Sequence, residues 1–153
     1  MALYDCFMYF DEDMLLDIRL NTLNNIVDKF IIAEGTRTHS GEEKKLNFDI
    51  KKFSKFKDKI EYLIIDDIPL NVSKYKRDWS ASHIRDQYQR NSLNRGLKNC
   101  DGNDLIMISD LDEIPNPKKI NEFDIKKKYA CFIPVSYTHL RAHETPEHLG
   151  CRL

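Results

Sequence analysis

The sequence predicts an α/β domain whose mostly parallel sheet is flanked by helices. Three observations carry that expectation. Short apolar runs at residues 2–10, 29–33, 60–65 and 104–109 alternate with longer stretches of helical spacing. The runs are apolar at successive positions rather than every second one, which is how strands read when helices cover both faces of a parallel sheet. Each run also ends in acid: Asp11 and Glu12, then Glu34, then Asp66 and Asp67, then Asp110, Asp112 and Glu113.

The first strand, residues 2–10, is rich in aromatic residues and is closed by Asp11, Glu12 and Asp13. These acids then open a helix, where they suit the positive end of its dipole. Met14, Leu15, Ile18, Leu23, Ile26 and Val27 supply its apolar positions. The second strand, residues 29–33, ends at Glu34 and Gly35. A polar loop, residues 36–45, follows. Phe48, Ile50, Phe53 and Phe56 among lysines predict one amphipathic helix or turn. The third strand spans residues 60–65, and a loop containing Pro69 leads on to the longest helix, residues 80–99. Gly96 weakens the last turn of that helix. The fourth strand is residues 104–109, and residues 129–133 open a fifth.

Composition excludes several classes of protein. Hydrophobic residues at 41% and charged residues at 32%, with only 5 glycines and 5 prolines, describe a globular chain rather than a disordered one. Lys and Arg total 24 against 25 for Asp and Glu, so no positive excess draws a nucleic acid. No apolar run approaches the ~20 residues of a membrane span, and the start lacks a signal peptide's basic-then-apolar order. A cytoplasmic location is therefore expected. Cys6, Cys100 and Cys131 form no Cys-x-x-Cys pair and read as reduced thiols.

The best chemical candidate is the acidic turn after the fourth strand. Two carboxylates at i and i+2, Asp110 and Asp112, can reach into one crevice, and ligands bind beyond the carboxyl ends of parallel strands. Oxygen ligands of this kind hold Mg²⁺ or Mn²⁺, which can bridge the phosphates of a nucleotide. Pro115 and Pro117 stiffen the chain beyond them. In the long helix, Gln87, Arg90, Asn91 and Asn94 share one polar face, which spacing alone reads as a solvated surface. Trp79 stacks on a sugar or base, or belongs to the core. Thr38 and His39 in the loop after the second strand are candidates to contact a diphosphate or sugar hydroxyls, or form an ordinary turn. No P-loop and no Gly-x-Gly-x-x-Gly is present.

Six ordered blocks go further. They are Tyr-Asp-Cys-Phe-Met-Tyr-Phe-Asp-Glu at residues 4–12, Leu-Leu-Asp-Ile-Arg-Leu-Asn at 15–21 and Val-Asp-Lys-Phe-Ile-Ile-Ala-Glu at 27–34. Thr-His-Ser-Gly at 38–41, Gln-Arg-Asn at 89–91 and Ile-Ser-Asp-Leu-Asp-Glu-Ile-Pro at 108–115 complete them. Together they resemble glycosyltransferase family 17, the β-1,4-mannosyl-glycoprotein β-1,4-N-acetylglucosaminyltransferases, from about residue 4 to residue 117. The resemblance implies a GT-A-type, Rossmann-like fold, UDP-N-acetylglucosamine as donor, and Mn²⁺ (or Mg²⁺) held through the Asp-x-Asp motif. Asp112 would then be the direct metal ligand, and Asp110 would face the ribose or a metal-bound water. Glu34, Thr38, His39, Arg90 and Asn91 join Asp110 as the implied donor-binding set. The animal members carry a membrane anchor and stem, whereas this chain opens at its first strand. The expected relative is thus a bacterial cytosolic enzyme acting on a surface polysaccharide or lipid-linked sugar. The catalytic base is expected downstream and is not assigned.

Residues 135–153 break in texture. They hold three of the five histidines and no lysine, and they look like a translated sequencing adapter. Their histidines and Cys151 lack the carboxylate partners of a metal site. The expected organisation is a nucleotide-sugar-binding part, residues 1–134, incomplete at its C-terminal side, followed by a non-native, disordered tail, residues 135–153. Two alternatives stand beside the transferase. One is a phosphatase with Asp110 as nucleophile and Asp112 as acid/base, for which Ile114 is a poor fit. The other is a non-catalytic, truncated nucleotide-binding fragment.

Overall fold

A computed structural model of the chain describes residues 1–72, 80–124, 127 and 129–131. They belong to two compact units, Met1–Ile114 and Pro115–Leu153. The first unit contains β1 (Leu3–Met8), α1 (Asp13–Leu23), β2 (Lys29–Gly35), β3 (Ile60–Ile65), α2 (Ala81–Ser92) and β4 (Leu105–Ile108). The second contains α3 (Pro117–Ile120), where Asn116 caps the helix by accepting from the Lys118 N–H at 3.0 Å and Pro117 occupies the first turn.

The four strands form one parallel sheet in the order β3-β2-β1-β4. From β1 the chain steps outward through β2 and β3, then crosses back to place β4 on the other side of β1. The strand order reverses between β1 and β4, and a crevice opens at such a switch point beyond the strand ends.

Parallel partners in register share a face of the sheet, and successive residues alternate between faces. Tyr4, Cys6, Ile31, Ala33 and Ile65 fall on one face, where Ile68 and Leu93 pack on them. Leu3, Asp5, Phe7, Phe30 and Ile32 alternate with these and face the other way. There α1 buries Leu16, Arg19, Leu20 and Leu23, a single stripe at helical spacing. Each fully buried leucine contributes about 1.5–3 kcal/mol relative to exposure. The stripe differs from the sequence expectation: Met14 and Ile18 are exposed, and Arg19 takes the inward place. Asp5 on the facing strand is the reason.

Of three other elements, the first takes the turn form that the sequence allowed, and the other two differ from the sequence reading. The phenylalanine-rich segment is a set of turns closing in a short 3-10 helix, Ser54–Phe56. Its Phe48 ring stacks on Phe53 with centroids 5.8 Å apart and tilts against Tyr62 at 4.6 Å. The long helix is α-helical only to Ser92 and continues as a 3-10 helix, Leu93–Leu97. Gly96 lies so close to β2 that a Cβ there would sit 2.5 Å from the Ile31 Cγ2. Close approach of this turn to the sheet accompanies the change of winding. Tyr129, Ala130 and Cys131, assigned to a fifth strand by the sequence, carry no strand, and Tyr129 is exposed. Residues 132–133, Trp79 and the whole 135–153 segment lie outside the described residues.

Among the described residues Cys6 and Cys100 form no disulfide. Burial pushes the Cys6 thiol up to about 12, with Asp5 adding to the effect, so it stays protonated at neutral pH. Among the described residues no helix is long and apolar enough to cross a membrane.

The end of β3 is tied to α2 and the turn beyond it by Asp67, whose carboxylate accepts two bonds from Arg95, at 3.0 and 2.7 Å, and one from the Tyr88 hydroxyl at 2.9 Å. Arg95, then Tyr88, hold the Asp67 carboxyl below its ordinary 3.8. Lys52 and then Tyr9 do the same for Asp13, and the Ala2 and Asp101 N–H groups for Asp104. A carboxyl depressed by folding adds stability above its unfolded pKa and loses it as pH falls through its folded value. The urea midpoint is therefore expected to stay level from pH 7 to pH 5 with respect to these groups, then to fall below about pH 4. Asp67→Asn should flatten part of that acid slope, as urea titrations across pH would show.

Candidate functional site

The site begins with a charge in the wrong place for a buried strand. Asp5 sits in the middle of β1 with no solvent exposure, and a buried carboxylate requires a partner. Arg19 supplies it from α1. Its Nε donates to Asp5 Oδ2 at 2.9 Å and its Nη2 to Asp5 Oδ1 at 2.7 Å, a two-pronged pair with neither side chain exposed. The guanidinium also lies over the Phe7 ring, 4.6 Å from its centroid.

The remaining Arg19 donors reach the acidic turn. Nη2 donates to Ser109 Oγ at 2.6 Å, and Nη1 to the carbonyls of Asp110 at 2.7 Å, Leu111 at 3.1 Å and Glu113 at 3.3 Å. One buried cation thus gathers the backbone of residues 109–113. Within the turn the Glu113 N–H donates to the Asp110 carbonyl, and the Glu113 carboxylate folds back to accept from the Asp110 N–H at 3.2 Å. Leu111 is buried, while Asp110 and Asp112 project on either side of it.

Both acids line a cleft of about 520 Å³ at the carboxyl ends of β1, β2 and β4. Its walls are Met8 at the end of β1, Tyr9, Phe10 and Glu12 after it, Arg37, Thr38, His39 and Lys44 after β2, and Asp86, Gln89 and Arg90 from α2. Arg90 Nη2 lies 2.8 Å from Asp110 Oδ1 and 4.0 Å from Asp86 Oδ1, and His39 Nε2 lies 3.7 Å from the same Asp86 oxygen. The cleft therefore carries Arg90 between two carboxylates, with the His39 imidazole beside one of them.

The loop after β2 is shaped from beneath by Arg85, itself nearly buried. It donates to the carbonyls of His39 at 3.0 Å, Pro69 at 3.2 Å and Leu70 at 3.2 Å. Gly41 has φ +97° and its Cβ position lies 2.9 Å from the Arg85 Cζ, so both backbone and space call for glycine there. Thr38 closes the loop through its N–H to the Glu42 carbonyl at 2.8 Å, and its hydroxyl shares a bond with Ser40.

Of the residues singled out from sequence, Thr38, His39, Arg90, Asp110 and Asp112 share this cleft. Asn91 does not line it. Asn91 is exposed with Gln87 and Asn94, and the α2 face turned to the cleft is instead Asp86, Gln89 and Arg90. Glu34 does not line it either. Its carboxylate is fully buried and accepts from Lys44, from the Tyr62 hydroxyl at 2.7 Å and from the N–H groups of Asn47 at 2.8 Å and Phe48 at 3.1 Å. Those donors leave it no surface for a ligand: it anchors the segment after the loop, not a donor molecule. Burial, then this carboxylate, raises the Tyr62 hydroxyl well above the ordinary tyrosine range.

Sequence reasoning missed Asp5, Arg19, Arg85 and Asp86. The first two had a signal: an acid inside an apolar strand and an arginine inside the apolar stripe of the next helix. Arg85 and Asp86 had none.

The donor set can be tested against a divalent ion. Among the described residues no group of three or more His, Cys, Asp or Glu side chains is placed to enclose a metal. Two carboxylates on one cleft wall fit Mg²⁺ or Mn²⁺, which commonly bind one or two carboxylates and take their other ligands from water and substrate phosphates. The pair suits an ion that arrives with a phosphorylated ligand.

A parallel sheet flanked by helices, with a charged cleft at its switch point, is a Rossmann-like α/β arrangement. The family follows from comparison: the model for glycosyltransferase family 17 matches residues 1–142, and the chain belongs to that family. It is similar to the β-1,4-mannosyl-glycoprotein 4-β-N-acetylglucosaminyltransferases of Homo sapiens and Rattus norvegicus, each 31% identical over 106 residues. The Mus musculus protein of the same name is 30% identical over the same length. Each match covers 66% of this chain and 19% of the relative, so the chain spans about a fifth of the relatives' length. No solved structure matches it.

Removing Arg19 separates its energetic part from its positioning part. Arg19→Met leaves the Asp5 charge buried without its partner and should cost about 3–5 kcal/mol in urea unfolding. Arg19→Met combined with Asp5→Leu removes both charges and should recover most of that loss. Equal losses in the single and double variants would show that the pair's charge balance is not what matters.

Proposed function

We propose that this chain is the nucleotide-sugar-binding part of a glycosyltransferase. It takes N-acetylglucosamine, or a related sugar, from a UDP-sugar to a hydroxyl of a glycan or lipid-linked sugar acceptor. The observation that carries this reading is the sharing of one switch-point cleft by Asp110, Asp112, Arg90, Thr38 and His39, in a chain of glycosyltransferase family 17.

In this reading Asp112 and Asp110 would hold Mn²⁺ or Mg²⁺, which when bound would supply positive charge against the departing diphosphate. The protein groups do the rest. Arg90 gives a planar fork suited to phosphate oxygens. Thr38 and His39 face the ligand from the β2 side, and Arg19 fixes the direction of the acidic turn without touching the ligand. The acceptor hydroxyl attacks the sugar's anomeric carbon, the bond from that carbon to the diphosphate oxygen breaks, and the hydroxyl proton passes to a base. No described residue is assigned as that base. The phosphatase alternative is set aside: the family is one of transferases, and Asp110, its required nucleophile, is ion-paired with Arg90.

Calorimetry of UDP with and without Mn²⁺ tests the reading. UDP binding is expected to need the metal and to weaken by about tenfold or more in Asp112→Ala, the scale of losing a metal ligand's share of binding. Binding that ignores the metal, or is unchanged in the variant, would overturn it.

A further inference from the structure

Arg90 stands where a divalent ion has to compete with it. Its guanidinium is 2.8 Å from Asp110 Oδ1, so one of the two carboxylates offered to a metal already has a cation. Asp86, one helical turn earlier on α2, lies 4.0 Å from the same nitrogen and offers a second place to lean. His39 on the opposite wall meets Asp86 at 3.7 Å, which ties this second place to the loop after β2. The Arg90 side chain is 32% exposed and that of Asp110 is 52% exposed, so burial locks neither of them in the pair.

A lone divalent cation approaching Asp110 and Asp112 therefore meets half the negative charge that two carboxylates suggest, with a resident positive group beside it. A nucleoside diphosphate changes both terms. Its oxygens complete the coordination that two carboxylates leave open, and they give the guanidinium a partner better matched to its fork than a single carboxylate oxygen.

We propose that Arg90 is an exchangeable counter-ion: it neutralises Asp110 until metal and nucleotide arrive together, then transfers to the diphosphate, with Asp86 steadying it during the exchange. Metal and nucleotide each bind weakly alone and strengthen one another, and the coupling is the same whichever is added first. The inference rests on the preceding reading of Asp110 and Asp112 as metal-holding residues.

The test is a Mn²⁺ titration of the 153-residue chain followed by the electron paramagnetic resonance of free Mn²⁺, with and without saturating UDP. The wild-type chain should bind Mn²⁺ about tenfold more tightly with UDP. Arg90→Gln should bind Mn²⁺ alone roughly threefold more tightly, the scale of one exposed ion pair, and should lose most of the gain from UDP. Arg90→Lys keeps the charge, so it should hold Mn²⁺ alone as weakly as wild type and recover only part of the UDP effect. The opposite signs of the two Arg90→Gln effects are what a merely structural role would not produce, and circular dichroism confirms that the variants are folded. If Arg90→Gln weakens Mn²⁺ binding alone, or leaves it and the UDP gain unchanged, the exchange is wrong while the metal–nucleotide reading stands. If the wild-type chain takes up no Mn²⁺ even with UDP, both fall.

Discussion

A single guanidinium ties the sheet to the chemistry. Arg19 answers the buried Asp5 carboxylate in β1 with two of its donor groups and spends the others on Ser109 and the carbonyls of the acidic turn. Bringing two charges out of water is costly, and this pair offsets the cost because every prong has a partner. The turn that follows β4 is a short loop with little packing of its own beyond Leu111. Its direction comes from being fastened to the centre of the sheet. The carboxylates of Asp110 and Asp112 then project into the cleft because the backbone between them is held from behind.

The same division between holding and contacting runs through the rest of the cleft. Glu34 anchors Lys44, Asn47, Phe48 and Tyr62 from below, and Arg85 fastens the carbonyls under the His39 loop. Asp67 secures α2 through Arg95 and Tyr88. None of these buried or anchoring groups needs a ligand to satisfy it, and among the described residues no buried side-chain nitrogen or oxygen lacks a hydrogen-bond partner. Asp110, Asp112, Arg90, Thr38 and His39 are instead set on the cleft wall, where a ligand can meet them.

Strand positions and the parallel sheet were legible in the sequence because runs such as residues 30–33 and 105–108 are apolar at every position, a pattern with few other meanings. The acidic turn was legible for the same reason: it follows one of those runs directly. The acids at strand ends looked alike in sequence but divide in the structure, since Glu34 is the sixth residue of β2 and faces inward, whereas Asp110 lies two residues past β4. One position along a strand decides which face a side chain takes. On α2 the spacing read the polar face rightly as solvated at Gln87, Asn91 and Asn94, but Arg90 turns to the cleft with Asp86, whose role depends on a loop forty-seven residues earlier. Helical spacing shows which residues share a face, but not which face meets which loop.

The clamp is tested most directly by amide hydrogen exchange on the Arg19→Met, Asp5→Leu double variant, in which charge balance is kept and the clamp is gone. The Glu113 and Ile114 amides, bonded within the turn to the Asp110 and Asp112 carbonyls, should exchange about tenfold or more faster than in the wild-type chain, while β1 and β2 amides keep their protection. Turn amides that exchange as slowly in the variant as in the wild type would contradict the account, because the acidic turn would then hold its shape without Arg19.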